Sequence, residues 1–131
     1  MTYIGFIKEF DKNIRAALTF QEMAKLSGNA IPDETRKKIL HYLRNGFFLA
    51  GAMSFIYDFD NEKIGNLDYY TDGTYVWPSY YAFYLNKYPH LYINPEFISH
   101  TENTEFTIPA ITDARLAEMD RSFSREWSGN Y

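Results

Sequence analysis

The residues best suited to chemistry begin with an acidic stretch, DFDNEKIGNLDY, at positions 58–69. A calcium-binding EF-hand loop takes oxygen ligands at its first, third and fifth positions, and Asp58, Asp60 and Glu62 fit that pattern. The loop then requires glycine at the sixth position and glutamate at the twelfth, where this chain has lysine and tyrosine. A weak, irregular cation site and a solvated acidic turn stay open, and the sequence favours the turn.

The three histidines, His41, His90 and His100, show no metal-binding spacing with one another or with a carboxylate. The chain has no cysteine, so neither disulfides nor thiol chemistry is expected. It also lacks a G-x-S-x-G elbow, a P-loop and a glycine-rich dinucleotide turn. A Ser-His-Asp site assembles in space, so the sequence leaves that one option open. We predict no metal site and no cofactor.

Aromatic side chains are concentrated in YYTDGTYVWPSYYAFYLNKYP, residues 69–89. Such rings can stack on bases, but nucleic-acid binding also requires interleaved cations. Between positions 69 and 97 the chain has a single basic residue, Lys87, so we do not predict nucleic-acid binding. Most of these rings are expected in the core, and the alternative is a rigid aromatic and acidic surface for a protein partner.

The net charge of −4 is unevenly distributed. Residues 58–105 contain eight Asp and Glu but two Lys, whereas residues 1–57 contain eight Lys and Arg against five Asp and Glu. An acidic central segment would suit a basic partner, although acids also collect in solvated loops. The longest apolar run, residues 47–57, is shorter than the roughly 18 residues of a membrane span, and we predict a cytoplasmic protein.

Helical patterns that could position these residues occur in the first third of the chain. An amphipathic helix is predicted from apolar residues spaced three and four apart: Ile7, Phe10, Ile14 and Leu18. A second helix begins with a capping box of Thr19 and Glu22 and is expected to end at Gly28. A third runs from Asp33 as N-cap to Gly46 as C-cap.

The remaining elements surround the aromatic stretch. The run FFLAGAMSFIY, residues 47–57, fits a buried strand or a helix, and its Ala and Met residues favour the helix. Asp72 and Gly73 predict a hairpin with a two-residue type I′ turn. Helices are then expected after Pro78, Pro95 and Thr112. The predicted fold is a mostly helical α+β single domain, residues 1–131, with a small antiparallel β-hairpin.

The segment around the hairpin also resembles a group of small bacterial proteins, some of them similar to immunity proteins of polymorphic toxin systems. The matching positions are Tyr70, Thr71, Asp72, Gly73, Tyr75, Val76, Trp77, Pro78, Tyr81, Tyr84, Leu85 and Tyr88. They cover about a sixth of the chain. The resemblance implies a protein that binds the catalytic domain of a cognate toxin and blocks it without performing catalysis.

Charge and loop position select the candidate contacts for such a toxin. They are Asp58, Asp60, Glu62, Asp68 and Asp72, with Tyr70 and Tyr75 as aromatic anchors. The expected partner surface is basic, as on many nucleases. The alternative hypothesis is a small enzyme or ligand-binding protein with an aromatic pocket near Trp77, in which His90 or Asp72 supplies a polar group.

Overall fold

A computed structural model describes residues 1–26 and 31–130. Those residues contain the strands and helices β1 (Thr2–Tyr3), α1 (Phe20–Lys25), α2 (Asp33–Arg44), β2 (Phe47–Tyr57), β3 (Lys63–Thr71), β4 (Tyr75–Pro78), α3 (Ser79–Lys87), α4 (Pro95–Asn103) and α5 (Asp113–Trp127). The strands form one sheet in the order β1-β4-β3-β2. The predicted fold class is therefore wrong in its sheet, which is a mixed sheet of four strands and not a small hairpin.

The prediction of a helix at residues 47–57 is wrong, because this run forms β2. Strand β2 pairs antiparallel with β3, with Phe48 opposite Tyr70 and Gly51 opposite Asp68. Cross-strand packing of aromatic residues outweighs the helix preference of the alanines and methionine in the run. Strand β2 is the edge of the sheet, while β1 at the other edge pairs parallel with β4.

The predicted helix through Ile7 and Leu18 is also absent from the described structure. Ile7 and Leu18 instead form an isolated parallel bridge, and the chain between them makes a series of turns. The backbone N–H of Ile7 donates to the Tyr80 hydroxyl at 2.9 Å, and that of Lys8 to the Leu18 carbonyl at 2.8 Å. Hydrogen bonds to residues distant in the sequence thus replace the regular hydrogen bonds of a helix at these two positions.

Several helix starts follow the predicted capping chemistry. Thr19 and Glu22 form the reciprocal capping box of α1, Thr112 caps α5, and Pro78 precedes α3. The N-cap of α2 is Pro32, one residue before the predicted Asp33. Gly28, the expected end of the helix that begins at Thr19, lies outside the described residues, and α1 ends at Lys25.

Two glycines differ from their predicted roles. Gly46 lacks the left-handed conformation of a C-cap glycine, and the C-cap of α2, which ends at Arg44, is Asn45. A Cβ at Gly46 would lie 2.5 Å from Cζ2 of Trp77, so glycine is required there for close packing. The hairpin after β3 has a three-residue loop in which Gly73 has a φ of 97° but Asp72 does not have a positive φ, which excludes the type I′ turn.

The core has aromatic residues on both sides of the sheet. On one side the ring of Tyr69 packs against Phe123 of α5, with ring centroids 4.6 Å apart. On the other side Trp77 packs near Tyr42 of α2, with centroids 6.1 Å apart. No helix among the described residues is long and apolar enough to span a membrane.

Candidate protein-binding surface

The acidic turn between β2 and β3 is held by internal partners. Asp58 is buried, and its Oδ1 accepts hydrogen bonds from the backbone N–H groups of Asp60 and Glu62 at 2.9 and 2.7 Å. Lys87 forms ion pairs with both Asp58 and Asp60, the second at 2.9 Å. The hydrogen bond from Lys87 lowers the pKa of Asp58, so this carboxylate stays charged. Asp58 therefore organises the turn, and Asp60 and Glu62 remain exposed.

Asp72 is buried at the centre of a second polar network. Its Oδ2 accepts a hydrogen bond from the Tyr42 hydroxyl at 2.5 Å and lies 2.8 Å from Nε2 of His100. Its Oδ1 accepts from the backbone N–H groups of Thr74 and Tyr75 at 2.9 and 2.7 Å. This network ties α2 and α4 to the hairpin loop, which is a structural role.

Asp68 and Tyr70 project from β3 and are half-buried. Burial raises the pKa of Tyr70, and the negative charge of the neighbouring Asp68 carboxylate raises it further. Tyr75, the other predicted aromatic anchor, is buried against Phe97 with ring centroids 5.0 Å apart. Its position makes it a core residue.

The seven predicted contact residues thus lie in two groups. The turn and the β3 strand of the β2–β3 hairpin carry Asp58, Asp60, Glu62, Asp68 and Tyr70. Asp72 and Tyr75 are buried beyond the opposite end of β3. Four of the seven residues are exposed or half-buried and can therefore contact a partner: Asp60, Glu62, Asp68 and Tyr70.

Large exposed apolar side chains on β2 were missed from the sequence. Phe48 is 56 % exposed, Phe55 60 % and Met53 100 %. Tyr57 and Phe59, at the end of the strand, are also about half exposed. Positions 47–57 contain no charged residue, but the prediction favours a helix there, and periodicity alone does not show which of its side chains are exposed.

Cross-strand pairing places Phe48 and Phe55 on one side of the sheet. Phe48 lies opposite Tyr70, and Phe55 lies opposite Asn66. Directly opposed residues project to the same side, and residues two or four apart along a strand share that side. We call this surface the β2 face, defined by Phe48, Phe55, Asn66, Asp68 and Tyr70.

A bulge interrupts β2 near its middle. Register is lost between Gly51 and Phe55, and Met53 takes a φ of 55°, which is rare for a residue with a side chain. Bulges on an edge strand interrupt the row of backbone donors and acceptors that another strand would pair with. The bulge therefore disfavours pairing of a partner's strand along the whole length of β2. A partner would contact the side chains of β2 instead.

A cavity of about 290 Å³ adjoins the β2 face and includes Trp77 in its lining. Tyr70 belongs to both, since its ring packs against Phe48 and also lines the cavity. Neither His90 nor Asp72, the predicted polar groups of a pocket near Trp77, lines this cavity. His90 lies instead beside Phe20 in a separate depression.

Beneath the other side of the sheet, Asp11 is a buried carboxylate with three donors. The hydroxyls of Tyr69 and Tyr80 donate to it at 2.5 and 2.6 Å, and Nε1 of Trp127 at 3.1 Å. Burial raises the pKa of Asp11, and the three hydrogen bonds act in the opposite direction. The network ties the end of α5 to the N-terminal segment.

Within residues 1–26 and 31–130, no group of three or more His, Asp and Glu side chains is placed to hold a metal ion. Comparison of the chain with protein families, curated proteins and solved structures finds no match.

Proposed function

We propose that this chain is a non-catalytic, cytoplasmic binding module that neutralises a bacterial toxin domain by covering it, as expected of an immunity protein. The observation that carries the proposal is the β2 face, where Phe48 and Phe55 are more than half exposed on an uncharged edge strand. Phe48 and Phe55 lie on the same side of the sheet, and aromatic side chains are enriched at the surfaces that protein partners cover.

Side-chain types on this face fit protein recognition. Aromatic side chains bury much area for little loss of conformational entropy, and they are enriched among the residues that dominate binding energy. Asp60 and Glu62 lie at the turn that follows β2, where exposed acids would steer a basic partner. Lys87 offsets part of that charge, so apolar contact is assigned the larger share of the affinity.

The test is growth rescue by co-expression. The candidate toxin domain encoded beside this gene is expressed with wild-type protein, with the Phe48→Ser/Phe55→Ser variant, or with Leu26→Ser. Leu26 is an exposed apolar residue just after α1, so it is a matched control. We expect wild type and Leu26→Ser to restore growth and the double variant to fail. Equal rescue of growth by all three proteins would show that the β2 face is not needed to neutralise the toxin.

A second candidate function, ligand binding or a small enzyme, is favoured by the cavity beside Trp77. Its volume of about 290 Å³ is at the lower limit of the roughly 300–1,000 Å³ that small-molecule sites occupy. Purified protein that turned over a substrate, or that bound a metabolite with Trp77 in contact, would support this candidate over toxin binding.

A further inference from the structure

The cavity beside Trp77 lies next to the β2 face. Aromatic rings of Tyr70, Trp77 and Phe83 line it, together with Ala82 and Arg44. Because Tyr70 also belongs to the β2 face, a partner that covers Phe48 would lie at the mouth of the cavity.

Two residues that line this cavity, Trp77 and Ala82, are held in place by the fold itself. Nε1 of Trp77 donates to the Leu43 carbonyl at 3.0 Å, and close packing against Gly46 holds the indole ring in place. Ala82 is buried in the first half of α3. A preformed depression lined mainly by aliphatic and aromatic residues accepts a side chain at a smaller entropic cost than one that must order its own residues.

Arg44 supplies a cation beside these rings. It is exposed in the last turn of α2, and no described residue forms an ion pair with it. Arg115, by comparison, pairs with Glu118 at 3.3 Å. A guanidinium that has no ion pair within the described part of the chain, next to a pocket lined by aromatic rings, is complementary to a carboxylate that lies beside an apolar group.

We propose that the cavity is an anchor pocket for one apolar or aromatic side chain of the partner protein, and that Arg44 pairs with a carboxylate of the partner next to that side chain. The proposal rests on the toxin-binding function and names the chemistry of the partner at the same surface. The cavity volume of about 290 Å³ suits a single side chain better than a whole cofactor.

Two fragment probes test the chemistry of the pocket without the partner. They are 3-phenylpropionate and its uncharged amide, titrated against wild type, Arg44→Gln and Arg121→Gln by NMR. Arg121 is an exposed arginine on α5 and serves as the matched control. We expect the signals of Trp77, Tyr70 and Phe83 to shift, and the carboxylate to bind about three- to five-fold more tightly than the amide. Arg44→Gln should remove that preference, and Arg121→Gln should keep it.

The second arm measures the affinity of the toxin domain for the same variants and for Ala82→Leu, which fills the cavity. We expect both Arg44→Gln and Ala82→Leu to weaken toxin binding about five-fold or more. Urea unfolding verifies that Ala82→Leu is folded. If Ala82→Leu is unfolded, Phe83→Ala, which removes an aromatic ring from the cavity lining, is measured in its place.

Three outcomes would overturn the anchor pocket. If the fragments at millimolar concentration shift no signal of the cavity residues, the cavity is not an anchor pocket. Fragments that bind while Arg44→Gln and Ala82→Leu leave toxin affinity unchanged would make the cavity a site for a free small molecule, and loss of toxin binding in the Phe48→Ser/Phe55→Ser variant would still support the proposed function. If the wild-type protein binds no toxin, both the proposed function and the anchor-pocket proposal are wrong.

Discussion

Phe48 of β2 packs edge-on against Tyr70 of β3, with ring centroids 6.2 Å apart, while 56 % of Phe48 stays exposed to solvent. The two residues are directly opposite each other in the antiparallel pair. Such a pair stabilises the hairpin modestly and leaves one ring available to a partner. This arrangement is the basis of the binding proposal.

Replacement of the exposed rings should change solubility more than stability. We expect Phe48→Ser/Phe55→Ser to alter the free energy of unfolding by less than about 1 kcal/mol, because exposed side chains bury little area on folding. The variant should also associate less with itself than wild type does. Urea unfolding and static light scattering measure the two effects. A loss of several kcal/mol would mean that these rings belong to the core.

The bulge at Met53 predicts a stabilising substitution. Met53→Gly should increase the free energy of unfolding by about 0.5–1 kcal/mol, because glycine accepts the φ of 55° without the steric cost that a Cβ brings. Met53→Ala keeps the Cβ, so it controls for loss of the side chain and should show no such gain. Equal effects of the two substitutions would contradict the assignment of backbone strain.

Lys87 should control the ionisation of Asp58. Its hydrogen bond lowers the pKa of Asp58 below the ordinary 3.8, so this pair stabilises the fold above pH 3.8 and loses that effect as pH falls through the lowered pKa. Lys87→Met should raise the pKa of Asp58, as observed by NMR titration of its carboxyl carbon. It should also destabilise the protein at neutral pH, with a difference from wild type that narrows in acid. Lys63→Met is the control and should leave Asp58 unchanged.

Asp11 should contribute the opposite pH dependence. Burial raises its pKa above 3.8, so the folded state holds the proton more tightly than the unfolded state does. Its contribution to stability is therefore greatest below pH 3.8 and declines as pH rises through the raised pKa. Asp11→Asn should remove this decline in a series of urea unfolding curves across pH. Asp33→Asn, an exposed control, should preserve the decline.

Tyr42 and His100 should be energetically coupled, because both contact the same oxygen of Asp72. Tyr42→Phe removes a hydrogen bond to a buried carboxylate and should cost about 1.5–3 kcal/mol. In a double-mutant cycle with His100→Gln, we expect a coupling energy of about 0.5 kcal/mol or more. Additive effects would show that Asp72 does not join the two residues.

Local chemistry in the sequence predicted the starts of several elements correctly. The capping box of Thr19 and Glu22, the helix after Pro78 and the Thr112 cap depend on neighbouring residues alone, which is why they could be recognised. Elements whose form depends on distant partners were mistaken. Residues 47–57 form a strand because they pair with β3, and the composition of the run does not show that pairing.

The candidate site was harder to predict because the sequence does not show which of its side chains are buried. Asp58 and Asp72 have the residue type and loop position of surface contacts, yet Lys87 and Tyr42 draw them into internal networks. The apolar run of β2 was expected to form a helix, and its place at the sheet edge, which exposes Phe48, follows from pairing with β3. In both cases the exposure of a side chain depends on residues that are distant in the sequence.

The most direct test of the proposed binding surface is isothermal titration calorimetry of the purified chain with a candidate toxin domain encoded beside its gene. We predict that Phe48→Ser/Phe55→Ser weakens binding at least about 100-fold, because aromatic residues at the centre of an interface supply most of its energy. Leu26→Ser should bind as wild type does. Equal affinity for all three proteins, or loss confined to a variant of Asp58, Asp60 and Glu62, would contradict the assignment of the β2 face as the binding surface.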